Sequence, residues 1–459
     1  MSNKREQFKK SLRFLSVVIL VILQTVAFAY VWLTHYNQLL VHPFVGKGNW
    51  FFCLVYAILY TVFLFVFDGH KYGIYRDLNL ISGQILASVS TDFIAYFQIV
   101  LLAARFVSVG PAAALVGFHA LIAFVFSLFV NLFFRSFFPP KRTVIIYENY
   151  SPDTFIEKLN QREDKFEVKE VIHVSEGLDK IKDILSENDC AIIYDIHSEL
   201  RNKLLKICFV HNIRTYTTTK VSDILVRAAE PIHMFDTPLL LYRNIGLTFE
   251  QRFFKRALDI IVSLFLLIVT SPFFLASALA VKLYDGGPVF FTQKRCTING
   301  KVFKIHKFRS MVVDAEKSGA PHPAEKYDKR ITPVGRVLRV SRLDELPQLI
   351  DFLIGNMSLV GPRPERIEHV KQYTEELPEF EYRLKVRGGL TGYAQLYGKY
   401  NTTPYDKLQL DLTYIQNYSF FLDIRLILMT IKIMFMKEST EGFTKEKSQS
   451  ITDKNKKEK

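Results

Sequence analysis

Two acidic side chains stand next to each other in the stretch S-R-L-D-E-L-P-Q-L, as Asp344 and Glu345. Pro347 follows them, and a proline is tolerated inside a helix only in the first turn, so the sequence predicts a helix that begins near Asp344. The free N–H groups of a helix start can hold an anion such as a phosphate, and carboxylates can act as nucleophiles or metal ligands. Ordinary helix capping is the alternative, because Asp is a favoured N-cap residue and Glu is favoured in the first turn.

The composition is that of a membrane protein. Of the 459 residues, 49% are hydrophobic, and the chain contains 40 Phe and 22 Tyr. The net charge of +14 suits anionic lipid or an anionic substrate, and we expect no nucleic acid. The four cysteines show neither paired spacing nor a nearby histidine cluster, which argues against a disulfide framework and a zinc site.

Four apolar stretches predict an N-terminal transmembrane four-helix bundle, residues 1–140. Each is close to the ~20 residues that span a bilayer. They cover residues 12–33, 50–67, 81–103 and 111–134. Basic residues lie before the first stretch, between the second and third, and after the fourth, which predicts both ends of the bundle on the cytoplasmic side. Asp92 lies within the third stretch, where an ionisable group is often functional but can also satisfy a neighbouring helix.

Residues 141–245 predict a small Rossmann-like α/β domain. Short β-rich runs alternate there with amphipathic stretches, which is the βαβ pattern of a parallel sheet. Residues 147–151 follow the first run and contain no glycine, whereas a dinucleotide-binding fold has G-x-G-x-x-G at that place. We therefore expect no NAD site here, and a structural or regulatory module.

A further apolar segment, residues 257–281, is interrupted near its middle by Ser271 and Pro272. Proline kinks a helix, and each half is only about half the ~20 residues that a straight span needs. Basic residues flank both ends, so we predict a re-entrant helix, residues 255–284, that enters the membrane and returns to the cytoplasmic side. A single crossing is the alternative.

The C-terminal part of the chain, residues 246–437, forms a third predicted domain. From Gly286 onward it is rich in Arg, Lys, Gly and Pro and sustains no period-2 pattern, which predicts a mainly helical core with long loops. Residues 420–436 suit a helix in the membrane interface. The charged segment 438–459 predicts a disordered polar tail.

Seven motifs follow one another in this C-terminal part. They are K-R-x-x-D at 255–259, Ser-Pro at 271–272, G-P-V-F-F-x-Q-x-R at 287–295, K-F-R-S-M at 307–311, L-D-E-L-P-Q-L at 343–349, M-S-L-V-G-P-R-P at 357–364 and V-R-x-G-L-T-G-Y-A-Q at 386–395. With them, the chain resembles the monotopic phosphoglycosyl transferases, the bacterial sugar transferases that begin glycan assembly on a polyprenyl phosphate. The N-terminal bundle and α/β domain resemble those of the large members of that family.

The resemblance implies that a sugar 1-phosphate passes from a UDP-sugar to undecaprenyl (polyprenyl) phosphate, with release of UMP. It would be the first membrane step of exopolysaccharide, capsule or O-antigen synthesis. The resemblance implies Asp344 as the nucleophile that forms a covalent phosphosugar intermediate, and Glu345 as the Mg²⁺ ligand, roles for which carboxylates are suited. It also implies a homodimer in the bacterial cytoplasmic membrane, with the catalytic domain on the cytoplasmic face.

Basic residues within these motifs are candidates for binding the substrate phosphates: Lys307, Arg309, Arg363 and Arg387. The planar fork of arginine meets phosphate oxygens bidentately and stays charged. An ordinary surface charge is the alternative for each arginine.

The chain departs from the family pattern in three places. Cys296 and Thr297 follow the Q-x-R, Gly388 stands where proline is usual, and Asp351 replaces a typical asparagine. Asp351 has two interpretations, an exposed helix position or a further residue of the metal shell.

Two functions of other classes remain as alternatives. A membrane-anchored nucleotide-sugar dehydratase or oxidoreductase would use the α/β domain, but the missing glycine loop argues against it. A non-catalytic scaffold of a polysaccharide assembly complex would need only the bundle and the α/β domain.

Overall fold

The computed structural model describes residues 2–242, 246–313, 315, 328, 330–398 and 402–434, and the predicted tail at 438–459 lies outside them. The chain divides into two compact units, Met1–Thr219 and Lys220–Lys459. This division lies before the predicted domain boundary at residue 245. Ile224, which we assigned to the α/β domain, is buried in the core of the second unit.

The first unit begins with long apolar helices. Helix α1 covers Ser2–Val31 and continues as one π-type turn, Trp32–Tyr36. It is followed by α2 Lys47–Val66, α3 Asp77–Ala103 and α4 Gly110–Phe137. All four are long and apolar enough to cross a membrane. The predicted apolar helices near the N-terminus are therefore confirmed, and their topology in a bilayer stays a prediction.

Asp92 of α3 is buried among these helices. Its Oδ1 accepts a hydrogen bond from the Tyr56 hydroxyl at 2.8 Å, and its Oδ2 lies 2.9 Å from Nδ1 of His119. Nε2 of His119 lies 3.0 Å from the carbonyl oxygen of Gln24, so the network joins all four helices. Polar groups are tolerated in an apolar interior when they bind one another. These contacts agree with the second interpretation of Asp92, that it satisfies its neighbours.

A parallel sheet completes the first unit. Its elements are β1 Lys141–Tyr147, α5 Asp153–Asn160, β2 Phe166–His173, α6 Leu178–Glu187, β3 Cys190–Tyr194, α7 Ser198–Val210 and β4 Arg214–Thr217. The strand order is β2-β1-β3-β4, and every pairing is parallel. Val144 and Ile146 of β1 pack with Ile193 of β3 and Ile181 of α6 in one core cluster. The predicted parallel α/β region is confirmed.

The second unit is mixed helix and short sheet. Its elements up to the acidic pair are α8 Val221–Ala228, β5 Glu230–Met234, β6 Thr237–Leu241, α9 Phe249–Asp285, β7 Phe290–Cys296, β8 Val302–Phe308 and α10 Pro333–Val340. After it come α11 Gln348–Ile354, β9 Ser358–Val360, α12 Ile367–Glu376, β10 Gly389–Thr391, α13 Tyr393–Tyr397, α14 Pro404–Gln416 and α15 Phe420–Met434. Strand β9 pairs with β10 in parallel, and each of the two hairpins is antiparallel.

Helix α9 is a fifth helix long and apolar enough to cross a membrane. A capping box of Thr248 and Gln251 begins it, and Gly286 ends it in the left-handed conformation. The helix is not interrupted at the predicted break. Pro272 cannot donate to the carbonyl of Ile268, and the Ser271 hydroxyl donates to that oxygen instead, at 2.8 Å. Re-entry and return stay a prediction.

The hairpin β7–β8 corrects the expectation that no period-2 pattern is sustained. The two seven-residue strands pair from Phe290↔Phe308 to Cys296↔Val302. Phe303 and Ile305 are buried on one face of β8, while Lys304 between them is exposed. The turn contains Asn299 at φ 55° and Gly300 at φ 72°, residue types that adopt this conformation readily.

Candidate active site

The acidic pair lies in a 3₁₀ turn, Leu343–Glu345, between α10 and α11. Helix α11 begins only at Gln348, with Pro347 in the capping position before it. The prediction that a helix begins near Asp344 is therefore wrong by one turn. The proline is at the helix start as expected, but the residues before it form tighter i→i+3 hydrogen bonds, such as Leu346 N–H to the Leu343 carbonyl at 3.2 Å.

Glu345 is held by two of the predicted basic residues. Lys307 Nζ lies 2.6 Å from its Oε1, and Nη2 of Arg363 lies 3.8 Å from the same oxygen. The Glu345 side chain is 15% exposed. Burial opposes its ionisation, but the charges of Lys307 and Arg363 and the Lys307 hydrogen bond outweigh burial and lower the pKa of Glu345 to about 2. Glu345 is therefore a carboxylate at any physiological pH.

For Asp344, in contrast to Glu345, the effects that raise the pKa outweigh those that lower it. Its carboxylate accepts no hydrogen bond from the residues that the structure describes. Burial, followed by the negative charge of Glu345, raises the pKa of Asp344, and the charges of Lys307, Arg339 and Arg342 oppose that rise. Two adjacent carboxylates thus have pKa values that are moved apart, a pattern that is typical of groups with separate chemical roles.

Lys307 is positioned by a second acid–base pair beside it. The neighbouring residue on β8, His306, donates its backbone N–H to Asp351 at 2.9 Å, and its Nδ1 lies 2.8 Å from the other Asp351 oxygen. Asp351 is fully buried, so the expectation of an exposed helix position is wrong. Because Asp351 belongs to α11, this contact joins that helix to the strand that carries Lys307. No signal in the sequence pointed to His306.

Arg309 is not brought to the acidic pair. Its guanidinium binds both carboxylate oxygens of Asp285, the last residue of α9, and donates through Nε to the Pro288 carbonyl at 2.7 Å. Its side chain is 7% exposed. In this structure Arg309 joins the end of α9 to β8, and the predicted phosphate-binding role stays a prediction.

Arg363 lies on a loop whose backbone carbonyls accept hydrogen bonds from two other arginines. Arg383 donates to the Arg363 carbonyl at 2.9 Å, and Arg295 donates to the Pro364 carbonyl at 3.1 Å. Burial opposes ionisation of Glu365 on the same loop, but contacts with His369, Arg383 and other basic groups outweigh burial and hold its pKa well below its usual range. The backbone is thus fixed, whereas the Arg363 side chain itself is half exposed.

Arg387 lies near the beginning of α9. Burial, followed by the charge of Arg256, lowers its pKa, and the charge of Asp259 opposes this. These neighbours differ from the groups that surround Glu345. The structure therefore brings Lys307, Arg363 and the two acids together, whereas among the described residues neither Arg309 nor Arg387 forms a hydrogen bond or ion pair with Asp344 or Glu345.

Lys255 and Asp259, from the K-R-x-x-D motif within α9, connect this helix to β9 and to α15. Lys255 Nζ donates to Asp423 at 2.7 Å and to the Val360 carbonyl at 2.7 Å. Asp259 accepts from the Ser358 hydroxyl and from the Leu359 N–H, both at 2.9 Å. The helix is thereby fixed to β9, which leads directly into the loop of Arg363.

At the acidic pair, substrate oxygens or water would have to complete the coordination of a metal ion. Among the described residues, no group of three or more His, Cys, Asp or Glu side chains could hold a metal ion. Mg²⁺ is usually bound through one or two carboxylates together with substrate phosphates and water. The ionised Glu345 and the adjacent Asp344 fit such a partial site by the chemistry of their oxygens.

Residues 250–437 match the sequence profile of the family described as bacterial sugar transferase. The chain is 37% identical over 235 residues to an Aeromonas hydrophila protein named UDP-N-acetylgalactosamine-undecaprenyl-phosphate N-acetylgalactosaminephosphotransferase, covering 50% of this chain and 54% of that one. It is 40% identical over 205 residues to the Escherichia coli UDP-glucose:undecaprenyl-phosphate glucose-1-phosphate transferase, covering 44% and 42%.

The matches to these two relatives span about half of each relative's length. A shorter relative is covered almost completely. The exopolysaccharide production protein PSS of Rhizobium leguminosarum is 41% identical over 185 residues, which is 39% of this chain and 92% of that protein. The acidic pair, Lys307 and Arg363 all lie within the family match. The chain belongs to the bacterial sugar transferase family.

Proposed function

We propose that this protein transfers a sugar 1-phosphate from a UDP-sugar to undecaprenyl phosphate and releases UMP. The observation that carries the proposal is the contrast between the two acids. Asp344 accepts no hydrogen bond from the described residues, while Lys307 and Arg363 keep Glu345 ionised beside it. The names of the relatives, which state UDP-sugars and undecaprenyl phosphate, support the choice of substrates.

In the first step, an Asp344 oxygen attacks the β-phosphorus of the UDP-sugar. A bond forms between that oxygen and phosphorus, the bond from phosphorus to the bridging oxygen breaks, and UMP leaves with the bridging oxygen. Burial and the charge of Glu345 destabilise the Asp344 carboxylate, and bond formation relieves that destabilisation. Lys307 and Arg363 supply positive charge where the diphosphate would lie.

In the second step, a phosphate oxygen of undecaprenyl phosphate attacks the same phosphorus. The bond between Asp344 and phosphorus breaks, which gives the polyprenyl diphosphate sugar and returns the free carboxylate. Phosphoryl transfer depends on positioning and charge neutralisation more than on acid–base chemistry, so the fixed cations around the pair supply what the reaction needs.

Glu345 would hold Mg²⁺. A bound Mg²⁺ ion would neutralise charge on the diphosphate during transfer. Because its pKa is about 2, Glu345 offers a charged oxygen at neutral pH without first losing a proton. Lys307 fixes the direction of that carboxylate through its contact with Oε1.

The acceptor would reach the site along α9. Many of its large side chains, including Ile261, Phe265, Ile268 and Phe273, are exposed, and they give the helix an apolar surface suited to a lipid environment. We place the site on the cytoplasmic face of a bacterial membrane, with both ends of α9 on that side. A homodimer is part of the same proposal.

The test is to trap the intermediate on the full-length protein in nanodiscs. Wild type is incubated with a panel of UDP-sugars without acceptor, and intact mass and UMP release are measured. We expect wild type to gain one phosphosugar with at least one donor, as should Glu375→Gln, an exposed control on α12. We expect Asp344→Asn to gain none.

An adduct undiminished in Asp344→Asn, or no adduct on wild type with any sugar, would contradict the mechanism. The two alternative functions, an oxidoreductase and a non-catalytic scaffold, predict different experimental results. NAD bound to the purified protein would favour an oxidoreductase, and glycan synthesis restored by Asp344→Ala in a deletion strain would favour a scaffold.

A further inference from the structure

A groove of about 460 Å³ runs between α1 and α2 in the N-terminal bundle. Its α1 wall extends from Lys10 to Ile22, and its members recur every three or four residues, so they share one face of the helix. Thr61 and Phe65 of α2 line the other side, with His70 from the loop that follows. The volume lies within the roughly 300–1,000 Å³ that is common for small-molecule sites.

The groove has one basic end and one apolar end. Lys10 and Arg13 begin the α1 wall, and every later member of that wall is apolar. Lys10 is exposed and makes no ion pair with the part of the chain that the structure describes. Arg13 donates through Nε to the Tyr72 carbonyl at 3.0 Å, which keeps its guanidinium at this end.

Asp68 lies in the loop near the basic end of the groove and is neutralised by Lys71. Asp68 precedes His70 in the loop after α2, and its carboxylate lies 2.9 Å from Lys71 Nζ. Asp68 is fully buried and does not line the groove. Asp68 therefore does not neutralise Lys10.

We propose that this groove binds an anionic phospholipid. Its phosphate would lie against Lys10 and Arg13, and one acyl chain would follow Val18 and Ile22 opposite Phe65. The two helices that form the groove are long and apolar enough to cross a membrane, so a lipid chain is the apolar occupant at hand. Basic side chains at the membrane surface attract anionic head groups, and charge-assisted hydrogen bonds to phosphate are the stronger ones.

The charge is tested with a pair of neighbouring lysines. Lys10→Gln removes a groove charge, whereas Lys9→Gln makes the same change at a side chain whose Nζ lies 4.7 Å from the Phe138 ring centroid, outside the groove. Binding of phosphatidylglycerol to the full-length protein is measured by native mass spectrometry. We expect Lys10→Gln to weaken it about fivefold, the equivalent of about 1 kcal/mol per basic side chain near an anionic membrane, and Lys9→Gln to have less effect.

The shape is tested with a matched pair of aromatic substitutions. Val18→Phe adds bulk inside the groove, and Ile19→Phe adds it one position along the helix, where the side chain is exposed and lines no part of the groove. We expect only Val18→Phe to lower phosphatidylglycerol binding. Equal thermal unfolding midpoints of the two variants would exclude a folding defect as the cause.

Three results would overturn the proposal. One is equal binding of zwitterionic phosphatidylethanolamine, and another is equal loss in Lys10→Gln and Lys9→Gln. The third is displacement of phosphatidylglycerol by equimolar polyprenyl phosphate, which would assign the groove to the carrier lipid. None of these readouts depends on sugar transfer, so they test the groove separately from the proposed activity.

Discussion

Substitution of Lys307 by methionine should destabilise the protein in a manner that depends on pH. Lys307 lies 2.6 Å from Glu345, and its charge is the largest of the effects that lower the pKa of that residue. Methionine keeps most of the side-chain length but removes the charge and the hydrogen bond. The buried carboxylate would then be left with Arg363, 3.8 Å away, as its nearest positive partner.

The expected loss in the free energy of unfolding follows from the pKa of Glu345. A fall from the ordinary 4.5 to about 2 corresponds to roughly 3 kcal/mol of preference for the ionised form in the folded state. That figure is a net value, because it includes the cost of burying the carboxylate; in the variant this cost remains, and so does the compensating charge of Arg363. We expect Lys307→Met to lower the free energy of unfolding at neutral pH by about 1–3 kcal/mol.

The sign of the pH dependence is fixed by the direction of the shift. Because folding lowers the pKa of Glu345, its contribution to stability is complete above the ordinary pKa of 4.5 and is lost as pH falls towards about 2. The difference between wild type and Lys307→Met should therefore be largest near neutral pH and should shrink below 4.5. Lys307 also opposes the raised pKa of Asp344, so in the variant the pKa values of both acids should rise and the acid limb of the pH–rate profile should move upward.

The assay is thermal unfolding of the purified protein across this pH range, together with UMP release as a function of pH. Lys304→Met is the matched control, because Lys304 lies on the same strand but is exposed. Equal effects of the two substitutions at every pH, or an unchanged acid limb in Lys307→Met, would refute the assignment of Lys307 as the partner that keeps Glu345 ionised.

Three further outcomes test the surrounding structure. Arg309→Lys should lose the bidentate contact with Asp285 and lower the thermal unfolding midpoint without raising the KM for UDP-sugar; a raised KM with an unchanged midpoint would instead support the phosphate-binding prediction. Asp423→Asn should leave Lys255 buried without its charge partner and lower the unfolding free energy by about 3–5 kcal/mol, measured by thermal denaturation; a loss within about 0.5 kcal/mol would show that the pair is not structural. Chelation by EDTA should abolish UMP release and added Mg²⁺ should restore it, whereas activity that ignores chelation would remove Glu345 from its proposed role.

The parts of the fold that depend on local pattern could be predicted from the sequence. Apolar length predicted the four N-terminal helices, and alternation of β-rich and amphipathic runs predicted the parallel sheet. Each apolar stretch and each β-rich or amphipathic run is contained within about 20 residues, which is the length over which composition and period decide an element. The hairpin β7–β8 also has a local signal, Asn299-Gly300, a dipeptide that is typical of tight turns.

The pairings between distant residues could not be predicted in this way. Arg309 was predicted to bind phosphate because of its motif and the planar fork of arginine, and its contact with Asp285, 24 residues earlier, had no signal in the sequence. Asp351 was expected to be exposed, and it is buried against His306, 45 residues away. A single sequence contains no information on which distant charges meet, so burial and partnership of these residues had to come from the structure.

The position of the acidic pair is nevertheless explained by its own four-residue sequence. In Leu-Asp-Glu-Leu, the outer residues Leu343 and Leu346 pack into the core cluster that contains Val281 of α9 and Phe308 of β8. The acids between them meet the cations of β8 and of the loop that follows β9. Because a 3₁₀ turn has three residues per turn, the two leucines lie on the same side and the acids on another. The same turn thus attaches the acids to α9 and directs them away from it, towards Lys307.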